Sequence, residues 1–127
     1  MAPIIKVIIP AYNEAESIGK VIKQIPGYVN EIIVVNNNST DDTAKNAKQS
    51  GAIVLTELSS GYGNACLKGV NYIKQQVKKP DIIVFLDGDF SDYPEELTKI
   101  IAPIIDRDVD FVLGARVKNL REKGAMQ

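Results

Sequence analysis

At 127 residues, 45% hydrophobic and 24% charged, the chain has the length and composition of one soluble globular domain with a core of ordinary size. A formal net charge of −1, with no clustered Lys/Arg face, gives no electrostatic reason to expect nucleic acid as a partner. The absence of histidine removes His-based triads, zinc sites and general bases, and the single cysteine, Cys66, excludes an internal disulfide and most cysteine-built metal sites.

In chain order, strands and helices alternate. Residues 4–9 predict a first strand, closed by Pro10. Ile18, Val21, Ile22 and Ile25 carry the i, i+3, i+4, i+7 spacing of an amphipathic helix, stopped by Pro26 and Gly27. Residues 32–35 are a continuous apolar run suited to a strand buried on both faces. A weaker helix follows over 40–49, with only Ala44 and Ala47 as an apolar face, and Gly51 ends it. Residues 52–55 read as a third strand. Cys66, Val70, Ile73 and Val77 mark a third helix, with Cys66 assigned to core packing on its apolar stripe. A fourth strand over 82–86, a fourth helix marked by Leu97, Ile100, Ile101 and Ile104 and shortened by Pro103, and a fifth strand over 111–113 complete the pattern.

Such alternation implies right-handed βαβ crossovers and a mainly parallel sheet covered on both faces: an α/β, Rossmann-like, three-layer αβα domain spanning 1–127. Ligands in such sheets bind beyond the carboxyl ends of the strands, where strand order reverses. The polar loops after strands one to four should therefore converge on one crevice.

Each loop has a plain reading and a functional one. Asp87 and Asp89 end an apolar run one residue apart; alone they are an Asp-Gly turn, but at a strand end they also supply two hard oxygen ligands for Mg²⁺ or Mn²⁺. After strand one, Tyr12 offers a ring to stack on a base, while Asn13 and Glu14 offer hydrogen-bonding groups or simply start a helix. After strand two, three consecutive asparagines read as turn formers, with Asn38 able to take φ > 0 and Ser39 or Thr40 as an N-cap, yet Asn36 stands where its amide can read a nucleobase edge. After strand three, Gly61-Tyr62-Gly63-Asn64-Ala65 lets backbone approach a ligand and aims a helix start at it. Cys66 replaces the third glycine of a dinucleotide fingerprint, which disfavours a nicotinamide site. A receiver or phosphotransferase domain would need an acidic cluster after strand one, and a nucleotidyltransferase a basic glycine-rich loop there; Pro10-Ala11-Tyr12 is neither.

Residues 7–14, 33–43, Gly61-Tyr62-Gly63-Asn64-Ala65, 86–94 and Gly114-Ala115-Arg116 together resemble family 2 glycosyltransferases of the GT-A fold. Within that family they are most similar to the polyprenyl-phosphate hexosyltransferases, the dolichol-phosphate mannosyltransferase type. Asn36, Asn37 and Asn38 stand where the family usually carries two aspartates and a glycine, and Ser91 where glutamine is common.

The resemblance implies a divalent cation and a nucleotide-sugar donor, a UDP- or GDP-hexose. It implies a nucleotide-binding segment of Pro10, Ala11, Tyr12 and Glu14, with Asn36 at the base and Gly63 beside the nucleotide and donor sugar. Asp87 and Asp89 resemble the D-x-D pair, Asp89 as the direct metal ligand and Asp87 on ribose or the metal; Arg116 faces the diphosphate or the acceptor phosphate. A lipid phosphate acceptor is already anionic at neutral pH and needs no general base, which suits a chain without histidine, and no catalytic residue is assigned. A carboxylate base would serve an alcohol acceptor equally well. A nucleotide-sugar-binding module without activity would use the same residues.

The family's catalytic domain continues past the fifth strand into an acceptor-binding half. The chain therefore reads as the N-terminal, donor-binding portion of a glycosyltransferase. Truncation is expected to leave apolar surface near Ile83, Phe85, Phe111 or Leu113 partly exposed and so to favour self-association. No run approaches the roughly 20 apolar residues of a spanning helix and no secretory leader pattern is visible, so the expected location is cytoplasmic, at the membrane face where the acceptor is a lipid.

Overall fold

A computed structural model describes residues 3–77, 80–86 and 88, and the backbone of 111–112. Five strands form one parallel sheet in the order β3-β2-β1-β4-β5: β1 (Ile5–Ala11), β2 (Glu31–Asn36), β3 (Ile53–Thr56), β4 (Ile82–Phe85) and β5 (Phe111–Val112). The chain steps outward from β1 through β2 to β3, then crosses back to place β4 on the other side of β1. The switch point of this Rossmann-like α/β sheet therefore lies between β1 and β4.

Period-two alternation along β1 builds both faces of the core. Ile5, Val7, Ile9 and Ala11 point toward α1 (Ile18–Gln24) and α2 (Thr43–Gln49), packing with Val21, Ile22, Val34, Ala47 and Val84. Ile8 points the other way, joining Ile33, Val35 and Phe85 under α3 (Tyr62–Lys74). Burying an Ile or Val side chain contributes about 1.5–3 kcal/mol, so these two clusters hold the three layers together.

Pro10 does not close the first strand, which runs on to Ala11. The Ala11 carbonyl accepts from the Asn37 N–H and the Ile8 carbonyl from the Leu86 N–H, so Pro10, in phase with Ile8, faces the β4 side. Pairing with β4 ends at Ile8 and Phe85, and the missing proline N–H therefore costs no ladder bond. Ile25, expected inside α1, is its extended C-cap, as suits a residue before proline.

The second helix starts at Thr43, not at 40, because the residues before it are drawn into turns, and its N-cap is Asp42 instead of Ser39 or Thr40. Its buried face is Thr43 and Ala47, while Ala44 is half-buried. On α3 the inward stripe is Ala65, Gly69 and Ile73, with Cys66 and Val70 beside it, and Val77 lies fully exposed past the helix end. The small residues let α3 lie close on the sheet: a Cβ on Gly69 would come within 2.8 Å of Ile8 Cγ2. That helix covers Phe85, which is buried instead of exposed, while Ile83 is half-buried. The expected fourth helix, Leu113 and the Phe111 side chain lie outside the described residues. Among the described residues no helix is long and apolar enough to cross a membrane.

At the amino-terminal end of the sheet, Lys6 is almost completely buried and its ammonium lies 3.1 Å from Glu31 Oε1. It also donates to Gln76 Oε1, and Gln76 Nε2 donates to Glu31 at 3.1 Å. The three side chains tie β1, β2 and the segment after α3 together on the end opposite the switch point.

Candidate functional site

At the carboxyl ends of the strands a cleft of about 270 Å³ opens at the switch point. Pro10, Ala11, Tyr12 and Glu14 line it from the end of β1, Asn37 from the end of β2, Tyr62 and Ala65 from the start of α3, and Gly88 from beyond β4. The loops that form it hold each other through side-chain to backbone hydrogen bonds. Asn13 takes a left-handed conformation (φ 52°), and its Oδ1 accepts from the Thr40 N–H at 2.8 Å while its own N–H donates to Ser39 Oγ at 2.9 Å. The Glu14 N–H donates to the fully buried Thr43 Oγ1 at 2.8 Å, and the Ala15 N–H to Asp41 Oδ2 at 3.2 Å. The β1–α1 loop is thereby strapped to the β2–α2 loop.

Asp41 is the knot of that strap. Its carboxyl is held below the ordinary aspartate value chiefly by the Thr43 hydroxyl donating to it, partly opposed by burial, with the N–H groups of Thr43 and Ala15 adding to the lowering.

The asparagine run serves as scaffold. Asn37 donates through Nδ2 to the carbonyls of Glu57 and Ser59, each at 2.9 Å, and accepts the Gly61 N–H on Oδ1 at 2.9 Å. Both its amide hydrogens are thereby committed within the protein. Asn38 takes the expected positive φ (65°) and donates to the Leu58 carbonyl at 2.6 Å. Asn36 accepts the Ser39 N–H on Oδ1 at 3.3 Å, a local turn bond. Gly61, with φ 120° and ψ 146°, occupies backbone space that L residues rarely enter, and this sets the angle at which α3 begins.

Of the expected nucleotide-binding residues, Pro10, Ala11, Tyr12 and Glu14 line one cleft. Asn36 pairs in register with Ala11 at the strand ends, but among the described residues it is Asn37 that forms the wall on that side. Gly63 lies in the first turn of α3 between the lining residues Tyr62 and Ala65, and a Cβ there would meet nothing within 4 Å. Gly88 is pressed into the wall: a Cβ on it would meet Ile18 Cδ1 at 3.3 Å and both Ala11 Cβ and Glu14 Cγ at 3.4 Å. Its carbonyl accepts from Ser17 Oγ at 2.7 Å. Asp87, Asp89 and Arg116 lie outside the described residues. Sequence reasoning missed Asn37 and Tyr62; the signals were an amide inside a turn-forming run and an aromatic ring between two glycines at a helix start.

A family model described as "Glycosyl transferase family 2" matches residues 6–127. The chain belongs to glycosyl transferase family 2. It is 34% identical, over 119 residues, to an uncharacterized protein of Methanocaldococcus jannaschii, covering 91% of this chain and 48% of that protein. It is 30% identical over 138 residues to a UDP-N-acetylglucosamine–dolichyl-phosphate N-acetylglucosaminyltransferase of Methanococcus voltae, covering 94% of this chain and 54% of the relative. Among solved structures, glucosyl-3-phosphoglycerate synthase of Mycobacterium tuberculosis in complex with Mn²⁺, UDP-glucose and phosphoglyceric acid superposes with a TM-score of 0.69 at 31% identity, over 81% of this chain and 39% of that one. The chain thus shares the fold of that synthase and spans about half the length of the first curated relatives it matches.

Proposed function

We propose that the switch-point cleft is the donor site of a hexosyltransferase, binding a nucleoside diphosphate hexose for transfer to an acceptor, a polyprenyl phosphate, in the full-length protein. The observation that carries this reading is that the β1-end segment Pro10-Ala11-Tyr12 and Glu14 shares one cleft with Gly88, the residue between Asp87 and Asp89. The described structural relative binds UDP-glucose and Mn²⁺, and a sequence relative is named for a dolichyl-phosphate acceptor; both support the reading.

In this proposal Tyr12, more than half exposed at the cleft, stacks on the base, Asn36 reads the base edge, and Glu14 and Gly63 border the nucleotide. Asp89 ligates Mg²⁺ or Mn²⁺ and Asp87 contacts ribose or the metal; two carboxylates are the hard oxygen donors these ions take. The Gly88 backbone, held by Ser17 and pressed against Ala11, Ile18 and Glu14, supports a metal-binding turn against this wall. When bound, the cation neutralises charge on the leaving diphosphate as a Lewis acid. Arg116 faces the diphosphate or the acceptor phosphate. An acceptor phosphate brings its own negative charge, so the chain's residues bind and orient, and no proton-abstracting side chain is required.

The test is a thermal-shift screen of UDP- and GDP-hexoses with and without Mn²⁺, followed by a transfer assay to a short polyprenyl phosphate with the full-length protein. Stabilisation by one nucleotide series, greater with the cation, supports the donor site; no shift with any nucleotide sugar overturns it.

A further inference from the structure

Tyr62, in a glycine-flanked loop at the start of α3, lines the same cleft as Tyr12. Both residues carry large aromatic side chains and are substantially exposed, Tyr12 at 59% and Tyr62 at 42%, although the sheet beneath them is packed. Exposed aromatic rings that share one concave site are a costly way to meet water and a productive way to meet a planar or apolar ligand face.

The backbone around Tyr62 is fixed on both sides. The Gly61 N–H is held by Asn37 Oδ1 at 2.9 Å, the Gly61 carbonyl accepts from the Ala65 N–H at 3.2 Å, and Asn64 Nδ2 donates to the Ser60 carbonyl at 3.0 Å. Asn37 itself is pinned to β3's exit through Glu57 and Ser59. The ring is therefore carried by a pre-set helix start, and little ordering is needed when a ligand arrives.

We infer that Tyr62 is a second aromatic contact for the nucleoside half of the donor, packing on base or ribose alongside Tyr12 and making affinity depend on the nucleoside more than on the diphosphate. The inference rests on the donor-site reading above and adds a residue to it. The ring, not the hydroxyl, carries the contact, because stacking and apolar packing need only the ring face.

Calorimetric titration of UDP, GDP and inorganic pyrophosphate, each with Mn²⁺, into the wild-type chain, Tyr62→Phe and Tyr62→Ala tests it, with circular dichroism and melting curves checking that each variant folds. Loss of one base-stacking ring corresponds to a fall in affinity of roughly five- to a hundred-fold. The expected result is such a fall for the bound nucleotide in Tyr62→Ala, less than about a two-fold change in Tyr62→Phe, and unchanged pyrophosphate binding in both. Wild-type nucleotide affinity in folded Tyr62→Ala, or an equal loss of pyrophosphate and nucleotide, would overturn the role of Tyr62 while leaving the donor site standing. Absence of nucleotide binding by the wild type would overturn both.

Discussion

Asn37 and Gly61, 24 residues apart in sequence, are joined by a 2.9 Å hydrogen bond from the Gly61 N–H to the Asn37 side-chain oxygen. Through that bond the end of β2 decides where α3 begins, and α3 in turn carries one wall of the cleft.

Asn37→Ala should therefore cost both stability and ligand binding. Three hydrogen bonds at a nearly buried side chain are lost, each contributing about 0.5–1.5 kcal/mol, so urea denaturation should show a loss of about 2–4 kcal/mol. A loss below about 0.5 kcal/mol would mean that the β3–α3 loop is held by other contacts.

Gly69→Ala should also destabilise, although alanine is the better helix former by about 1 kcal/mol. The new methyl would meet three Ile8 side-chain carbons at 2.8, 3.1 and 3.2 Å, and overpacking of this kind costs about 1–3 kcal/mol. In an Ile8→Ala background the same substitution should become neutral or stabilising, and a double-mutant cycle by chemical denaturation reads that coupling.

Glu31→Ala leaves the Lys6 ammonium buried with, among the described residues, the Gln76 side-chain oxygen to accept from it. Removing one partner of a buried pair costs about 3–5 kcal/mol, and the low end is expected here because Gln76 Oε1 stays in place. Replacing both charges, Lys6→Met with Glu31→Leu, should recover most of that loss in thermal melts.

Asp41 gives the acid dependence a definite sign. Its folded-state pKa lies below the unfolded value of about 3.9, so the stabilisation it provides is complete above that value and is lost as pH falls through the folded pKa. The difference in melting temperature between wild type and Asp41→Asn should be present at pH 6 and shrink as pH falls through the lowered carboxyl value, with the β1–α1 strap loosening together with it. A difference that grows on acidification would contradict the role of the carboxylate.

Most of the architecture was legible because its signal is local. The apolar runs that become β2 and β4, the helical spacing of Ile18, Val21 and Ile22, and the Pro26-Gly27 stop each follow from side chains a few residues apart. Pro10 misled because its effect depends on where β4 ends, a fact set by another segment. Thr40 and Asp41 look helical in isolation but serve as partners for Asn13 and Ala15, and no pattern within 40–49 reveals that. The same limit separates Asn36 from Asn37: three identical side chains in a row differ only in what the fold brings opposite them. Tyr62 entered the cleft for a similar reason, through a helix start set from across the sheet.

In the proposed reading, the β1–β4 switch point binds a nucleoside diphosphate with a divalent cation. Calorimetric titration of UDP and GDP into this chain, in millimolar Mn²⁺ and again in EDTA, tests it most directly, with Asp89→Ala as the paired variant. The expected result is tighter binding of one nucleotide in Mn²⁺ and loss of that gain, with an unchanged melting temperature in the absence of ligand and metal, in Asp89→Ala. Equal affinity in Mn²⁺ and EDTA would contradict the metal's role, and no binding in either would contradict the donor site itself.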